Sequence, residues 1–139
     1  MKADVKADVI DLKTVMLVDD QEDIRRIGEL SLSEIGGLKV VLAASGLEAL
    51  RLIGEQPIDL VLLDVTMPDL DGPATLTRLK ADAVGRDVPV VFMTAKVQER
   101  ELAHYRALGV LGVIAKPFDP MTLPDQLRAL VRASGGVKR

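Results

Sequence analysis

Residues 60–72 read Leu-Val-Leu-Leu-Asp-Val-Thr-Met-Pro-Asp-Leu-Asp-Gly, an apolar run that ends in an acid and enters a polar turn. The run Leu60–Leu63 is continuous rather than alternating, which is typical of a parallel strand covered on both faces. Pro, Asp and Gly favour a turn after it, and Pro73 suits the first turn of a helix that follows Asp71. The stretch therefore predicts a strand, a loop and a helix of an α/β fold.

The same alternation extends from this stretch in both directions. Four more apolar runs lie at Val15–Val18, Val40–Ala43, Val88–Met93 and Val110–Ala115. Helical patterns separate the runs, so the sequence predicts a doubly wound α/β domain, a (βα)₅ unit with a parallel sheet. Right-handed crossovers then place helices on both faces of that sheet.

The helical patterns also predict which side chains face the sheet. In the first helix, expected over about residues 21–35, the inward residues are Ile24, Ile27 and Leu30. The second helix begins with residues 45–48, Ser-Gly-Leu-Glu, a capping-box pattern in which Ser and Glu satisfy free backbone N–H groups.

Length and composition limit the kind of protein. The chain has 139 residues, 48% of them hydrophobic, which suits one domain with a packed core. We predict a mobile N-terminal extension over residues 1–13, the domain over 14–133 and a flexible tail over 134–139. With no cysteine, disulfides and thiolate metal sites are excluded. The net charge of −3 disfavours a nucleic-acid-binding surface. No apolar run reaches the ~20 residues that span a bilayer, so we expect a cytoplasmic protein without a membrane partner.

Polar side chains follow the predicted strands, at the edge where open α/β sheets form their sites. Asp19 and Asp20 follow the first strand, Asp64 the third, Thr94 the fourth and Lys116 the fifth. Asp19 and Asp20 also suit the start of the next helix, since Asp is a good N-cap. Because the carboxyl ends of parallel strands share one edge, we expect all five side chains to lie close together.

This set of side chains suits phosphoryl transfer. Three carboxylates brought together repel one another, and a hard cation such as Mg²⁺ or Mn²⁺ removes that repulsion. Lys116 adds a compact positive charge and Thr94 a hydroxyl, each suited to a phosphoryl oxygen. An aspartate can be the nucleophile of such a reaction. The residues thus predict a magnesium-dependent phosphoryl acceptor.

Four motifs carry a family resemblance. They are Val18-Asp19-Asp20, the stretch from Leu63 to Gly72, Met93-Thr94-Ala95 and Ala115-Lys116-Pro117-Phe118. In order and separation they resemble the receiver domains of bacterial response regulators, over about residues 14–133. The resemblance implies a flavodoxin-like fold with five parallel strands in the order 2-1-3-4-5.

The resemblance also implies a role for each acid. Asp64 corresponds to the phospho-acceptor, Asp20 to a direct Mg²⁺ ligand and Asp19 to an acid that acts on the metal largely through water. Thr66 corresponds to the residue whose backbone carbonyl binds the metal.

The remaining motif positions include one departure from the family. Thr94 corresponds to the switch hydroxyl and Lys116 to the invariant lysine, whose bond to Pro117 is expected to be cis. The family usually has Tyr or Phe three residues before that lysine, but here the position is Val113, so an aromatic rotamer switch is excluded there. Lys96 occupies a variable position and is predicted to influence attack by water on the phosphorylated site.

The function implied is that of a stand-alone response regulator, a signalling switch and not an enzyme. It would accept a phosphoryl group from a phosphohistidine of a sensor histidine kinase or a histidine phosphotransfer protein, and assist its own phosphorylation and autodephosphorylation. With no room predicted for a DNA-binding module, output is expected by protein contact through the fourth helix, fifth strand and fifth helix, or by phosphate relay, without direct nucleic-acid binding.

Two other classes fit the sequence less well. A haloacid-dehalogenase-type phosphatase would want a second Asp two residues after the nucleophile, where Thr66 stands. A flavodoxin-like flavin binder would want hydroxyls and glycines after the first strand, where Gln21, Glu22 and Asp23 would repel an anion. Asp69 and Asp71 are interpreted as turn and cap residues.

Overall fold

The computed structural model describes residues 11–136 and contains one sheet of five parallel strands in the order β2-β1-β3-β4-β5. The strands are β1 (Thr14–Val18), β2 (Lys39–Ala43), β3 (Leu60–Asp64), β4 (Val90–Thr94) and β5 (Gly112–Ala115). The helices are α1 (Glu22–Leu30), α2 (Gly46–Leu52), α3 (Gly72–Ala81), α4 (Glu99–Ala107) and α5 (Leu123–Ala133). The predicted fold class and strand order are confirmed, while residues 1–10 and 137–139 of the predicted extension and tail lie outside the described residues.

The sheet separates two apolar cores, because successive side chains of a strand point to opposite faces. One core packs Val18, Leu63 and Phe92 with residues of α2, α3 and α4. The other packs Leu17 and Leu62 with residues of α1 and α5. Helices therefore cover both faces, and the edge formed by the carboxyl ends of the strands is left for polar side chains.

The inward face of α1 differs from the prediction. Ile27 and Leu30 are 44% and 55% exposed, so the prediction that they face the core was wrong. Gly28 is buried instead, and a Cβ at that position would collide with the side chain of Leu17. The missing side chain lets α1 approach β1 closely, and a hydrophobic pattern gives no signal for such a contact because it marks where side chains pack.

Some boundaries also differ from the prediction. The strand predicted to begin at Val88 begins after Pro89, whose carbonyl accepts a hydrogen bond from the N–H of Val61 at 3.0 Å. At the other end of the domain, Leu12 is only 3% exposed, so the packed chain begins ahead of the predicted boundary at residue 14. Asp59 supports this entry, since its carboxylate accepts hydrogen bonds from the N–H groups of residues 13 and 14.

Replacing Ser45 with alanine should lower the free energy of unfolding by about 1 kcal/mol, the usual cost of losing an N-cap side chain. Ser45 Oγ accepts a hydrogen bond from the N–H of Glu48 at 3.1 Å, while Glu48 Oε1 accepts one from the N–H of Ala44 at 2.6 Å. Urea denaturation measures the change, and Ser45→Asp, which keeps a capping oxygen, should stay close to the wild type. Equal losses in the two variants would contradict the capping role.

Candidate functional site

The residues predicted at the strand ends meet at one edge of the sheet. Asp20, Asp64, Thr66, Thr94 and Lys116 line an open cleft of about 320 Å³. Asp19 lies beneath them and is fully buried, whereas Asp20 is exposed to solvent. Asp20, Asp64, Thr94 and Lys116 lie at or just after the ends of β1, β3, β4 and β5, so the predicted juxtaposition is present in the structure.

Lys116 joins two of the acids. Its Nζ lies 2.8 Å from Asp19 Oδ2 and 3.2 Å from Asp64 Oδ1. The lysine side chain is 17% exposed, so these contacts form in a partly desolvated setting where charge interactions are stronger than in water. One ammonium group thus contacts both the acid that follows β1 and the acid that ends β3.

The cleft carries excess negative charge. The pKa of Asp64 is raised, first by burial and then by the negative charge of Asp19, although Lys116 and the N–H of Thr66 act in the opposite direction. Burial lowers the pKa of Lys116, but its contacts with Asp19 and then Asp64 outweigh that effect, and the net pKa is raised. A single lysine therefore does not fully compensate the acids around it.

The acids have the arrangement of a divalent-cation site. Asp19, Asp20 and Asp64 each offer a carboxylate oxygen, and these oxygens all lie within 4.8 Å of one another. Oxygen donors of this kind suit a hard ion such as Mg²⁺. The raised pKa of Asp64 is a second sign of fit, because added positive charge would favour its ionised form.

The other motif residues occupy positions consistent with the predicted site. Thr94 is 3% exposed, and its Oγ accepts a hydrogen bond from the N–H of Lys96 at 3.0 Å. The bond between Lys116 and Pro117 is cis, as predicted. Position 113, where the family usually has an aromatic ring, is occupied by the half-buried Val113 of β5. It is paired in register with Phe92 of β4.

Two further residues had no functional prediction from the sequence. Arg25 of α1 donates a hydrogen bond from Nη1 to the backbone carbonyl of Asp19 at 2.7 Å. Tyr105 of α4 is buried and packs edge-to-face on Phe92, with ring centroids 5.3 Å apart. An arginine on a helix carries no sequence signal for a backbone contact, so only the structure identifies the first of these.

The five-stranded parallel sheet and the acidic site at its strand ends define a flavodoxin-like α/β domain. Residues 15–128 match the response regulator receiver domain family. The chain belongs to this family, and it is a receiver domain of the two-component response regulator class.

Individual relatives support the same assignment. The chain is 39% identical over 126 residues to "Probable transcriptional regulator ycf27" of Guillardia theta, covering 88% of this chain and 48% of the relative. It is 33% identical over 123 residues to "Phosphate regulon transcriptional regulatory protein PhoB" of Pseudomonas aeruginosa, covering 88% and 53%. Chemotaxis protein CheY4 of Vibrio cholerae superposes with a TM-score of 0.79 at 28% identity, covering 86% of this chain and 98% of that chain.

These relatives bear on two predictions, that the response regulator stands alone and that it has no nucleic-acid partner. The chain spans about half the length of the curated relatives it matches. Because those relatives are named as transcriptional regulators, the expected absence of a nucleic-acid partner has no support.

Among residues 11–136, no helix combines the length and apolar character needed to cross a membrane.

Replacing Lys116 with methionine should lower the free energy of unfolding without divalent cations by about 2 kcal/mol. This is below the ~3–5 kcal/mol for breaking a fully buried ion pair, because the lysine keeps partial contact with water. Added Mg²⁺ should recover more stability in the variant than in the wild type, since the ion supplies the charge that the variant lacks. Urea denaturation with EDTA or with Mg²⁺ measures both effects.

Lys80→Met is a matched control for this prediction, because Lys80 is an exposed lysine in the last turn of α3. Its unfolding free energy should stay within about 0.5 kcal/mol of the wild type under both conditions. A Lys116→Met chain that behaves like this control would show that the bridge between the two acids contributes nothing to the fold.

Proposed function

We propose that the chain accepts a phosphoryl group on Asp64 from a phosphohistidine of a histidine kinase or a histidine phosphotransfer protein. A carboxylate oxygen of Asp64 bonds to phosphorus while the bond from phosphorus to the histidine nitrogen breaks and leaves its electron pair on the imidazole. The product is an acyl phosphate on Asp64. The proposal rests above all on one observation, the acidic trio of Asp19, Asp20 and Asp64. Within this trio the ammonium of Lys116 contacts both Asp19 and Asp64.

Each neighbour of Asp64 then has a defined task. Lys116 would neutralise an oxygen of the arriving phosphoryl group while keeping its contact with Asp19. The Oγ of Thr94 already accepts one hydrogen bond, and its hydroxyl proton would be donated to another phosphoryl oxygen. Lys116 and Thr94 are in place before the reaction begins, so little reorganisation of the protein is required as charge shifts onto the phosphoryl oxygens.

The metal role is assigned to chain groups that offer oxygen. Asp20 would bind the ion directly, Asp19 largely through water, Asp64 through a carboxylate oxygen and Thr66 through its backbone carbonyl. Mg²⁺ bound there would supply positive charge to the phosphoryl oxygens and reduce the repulsion around Asp64. The fit of the three carboxylates and the raised pKa of Asp64 support this assignment.

The same site would also govern loss of the phosphoryl group, so the chain is proposed to act as a switch that assists its own phosphorylation and autodephosphorylation. Output is proposed to pass through a contact on the face of α4, β5 and α5. The names of the curated relatives support transcription as the process that the switch controls. Tyr105 and Phe92 would replace a ring at Val113 in filling the space beneath α4.

Acetyl phosphate, a small phosphodonor, tests the proposed reaction directly. With Mg²⁺ the chain should gain the mass of one phosphoryl group, and with EDTA it should gain none. Borohydride reduction converts an aspartyl phosphate to homoserine, so peptide mass spectrometry should find homoserine at position 64. Homoserine at another acid, or a gain of mass that is independent of Mg²⁺, would contradict the assignment.

A further inference from the structure

Asp20, the exposed acid of the trio, receives little support of its own. Among residues 11–136, its carboxylate makes no hydrogen bond or ion pair with another protein group. Asp19, by contrast, has a partner at each of these groups: its N–H donates to the carbonyl of Ala43, its Oδ1 accepts from the N–H of Gln21, and its Oδ2 forms an ion pair with Lys116. The direction in which Asp20 leaves β1 therefore depends on the peptide group that joins it to Asp19.

Arg25 controls that peptide group. Its Nη1 donates a hydrogen bond of 2.7 Å to the carbonyl of Asp19. Because the Asp19 carbonyl and the Asp20 N–H belong to one rigid plane, a bond that fixes the carbonyl also fixes the start of Asp20. Arg25 is half-buried, so this contact is shielded from competing water.

Helix stability does not explain Arg25. It lies near the N-terminus of α1, where the helix dipole favours acids over cations. Its neighbour Arg26 pairs with Glu22 at 3.6 Å on the exposed surface, whereas Arg25 makes no ion pair within the described part of the chain. Its guanidinium instead contacts the backbone of Asp19, just after β1.

We propose that Arg25 is a positioning residue for the divalent cation, acting through the Asp19 carbonyl to orient the carboxylate of Asp20. The inference rests on the proposed magnesium role of that acid. Outer partners of metal ligands typically change metal affinity by about 10- to 100-fold, and we expect a loss of this order when Arg25 is replaced. At saturating Mg²⁺ the rate of phosphorylation should be nearly restored, because Arg25 does not line the cleft that would hold the phosphoryl group.

The sign of the effect separates this role from a purely electrostatic one. Arg25→Met removes a positive charge near the acids, and charge alone would make Mg²⁺ bind more tightly. Loss of positioning would make Mg²⁺ bind more weakly. Arg25→Lys keeps a cationic donor and should lose less affinity than Arg25→Met.

The experiment is a Mg²⁺ titration of the full chain, read as the rise in unfolding temperature, for the wild type, Asp20→Asn, Arg25→Met, Arg25→Lys and Arg26→Met. The expected result is a Mg²⁺ midpoint that rises about 10-fold or more in Arg25→Met and stays unchanged in Arg26→Met. Unfolding temperatures in EDTA verify that each variant is folded.

Unchanged or tighter Mg²⁺ binding in Arg25→Met would overturn the positioning role, as would equal losses in Arg25→Met and Arg25→Lys. If Asp20→Asn weakens binding while Arg25→Met does not, only this inference fails. If the wild type shows no Mg²⁺ response, or Asp20→Asn responds like the wild type, the proposed metal site fails as well.

Discussion

Asp64→Asn should abolish the Mg²⁺-dependent gain of a phosphoryl group from acetyl phosphate. Asparagine preserves the shape of the side chain but lacks a carboxylate oxygen that can attack phosphorus, and no other described acid contacts Lys116 except Asp19. Asp19 is fully buried and is held through both carboxylate oxygens, so it is not expected to substitute. Intact mass spectrometry after incubation measures the outcome.

Asp69→Asn is the matched control for this variant. Asp69 lies in the same loop, but it is exposed and has a φ of 67°, a left-handed conformation that asparagine also tolerates. Its phosphoryl gain should equal that of the wild type. A phosphoryl gain that persists in Asp64→Asn, or that disappears equally in both variants, would contradict the role of Asp64.

Asp64→Asn should also make the fold more stable than the wild type when no divalent cation is present. The pKa of Asp64 is raised above its ordinary value of 3.8, so the folded chain binds a proton more tightly there than the unfolded chain. Stability from this group is therefore present at low pH and is lost as the pH rises from about 3.8 through the folded pKa. In EDTA, Asp64→Asn should lack this loss and unfold at a higher temperature than the wild type at neutral pH.

Mg²⁺ should narrow or reverse that difference, because it stabilises the wild-type carboxylate more than the amide. Thermal unfolding across pH, with EDTA or with Mg²⁺, distinguishes the contribution of Asp64 protonation from that of Mg²⁺ binding. A wild type that gains stability in EDTA as the pH rises through this range would show that burial and Asp19 do not dominate at Asp64.

The sequence predicted the location of the site because strand positions and strand ends are coupled. Continuous apolar runs marked the strands, and parallel strands place their carboxyl ends together, so Asp19, Asp64 and Lys116 had to share an edge. The sequence could not predict that one ammonium would contact both acids. That contact depends on side-chain rotamers and on the separation of β1, β3 and β5 in space.

The errors in the prediction arise where backbone contacts replace side-chain packing. The first helix does not present Ile27 and Leu30 to the core, because the face of α1 that lies against β1 carries Gly28 instead. Arg25 was missed for the same reason, since its partner is a carbonyl.

Gly72→Ala should cost about 3 kcal/mol or more in the free energy of unfolding, the upper range for forcing an extra group into a packed region. A Cβ at Gly72 would lie 2.7 Å from the carbonyl oxygen of Asp64 and 2.7 Å from Cα of Val65. Both contacts are with backbone, so no side-chain rotation relieves them. The N–H of Gly72 also donates to the carbonyl of Val65 at 2.8 Å, which holds the start of α3 against the end of β3.

Gly54→Ala is the control for this effect, because a Cβ at Gly54 would meet no atom within 4 Å. Urea denaturation should leave Gly54→Ala near the wild type and shift only Gly72→Ala. Because the collision falls on the backbone that carries Asp64, the fraction of Gly72→Ala that remains folded should also accept phosphate more slowly. Equal stability in the two variants would mean that α3 can move away from β3, and then the close approach at Gly72 would not be what fixes the position of Asp64.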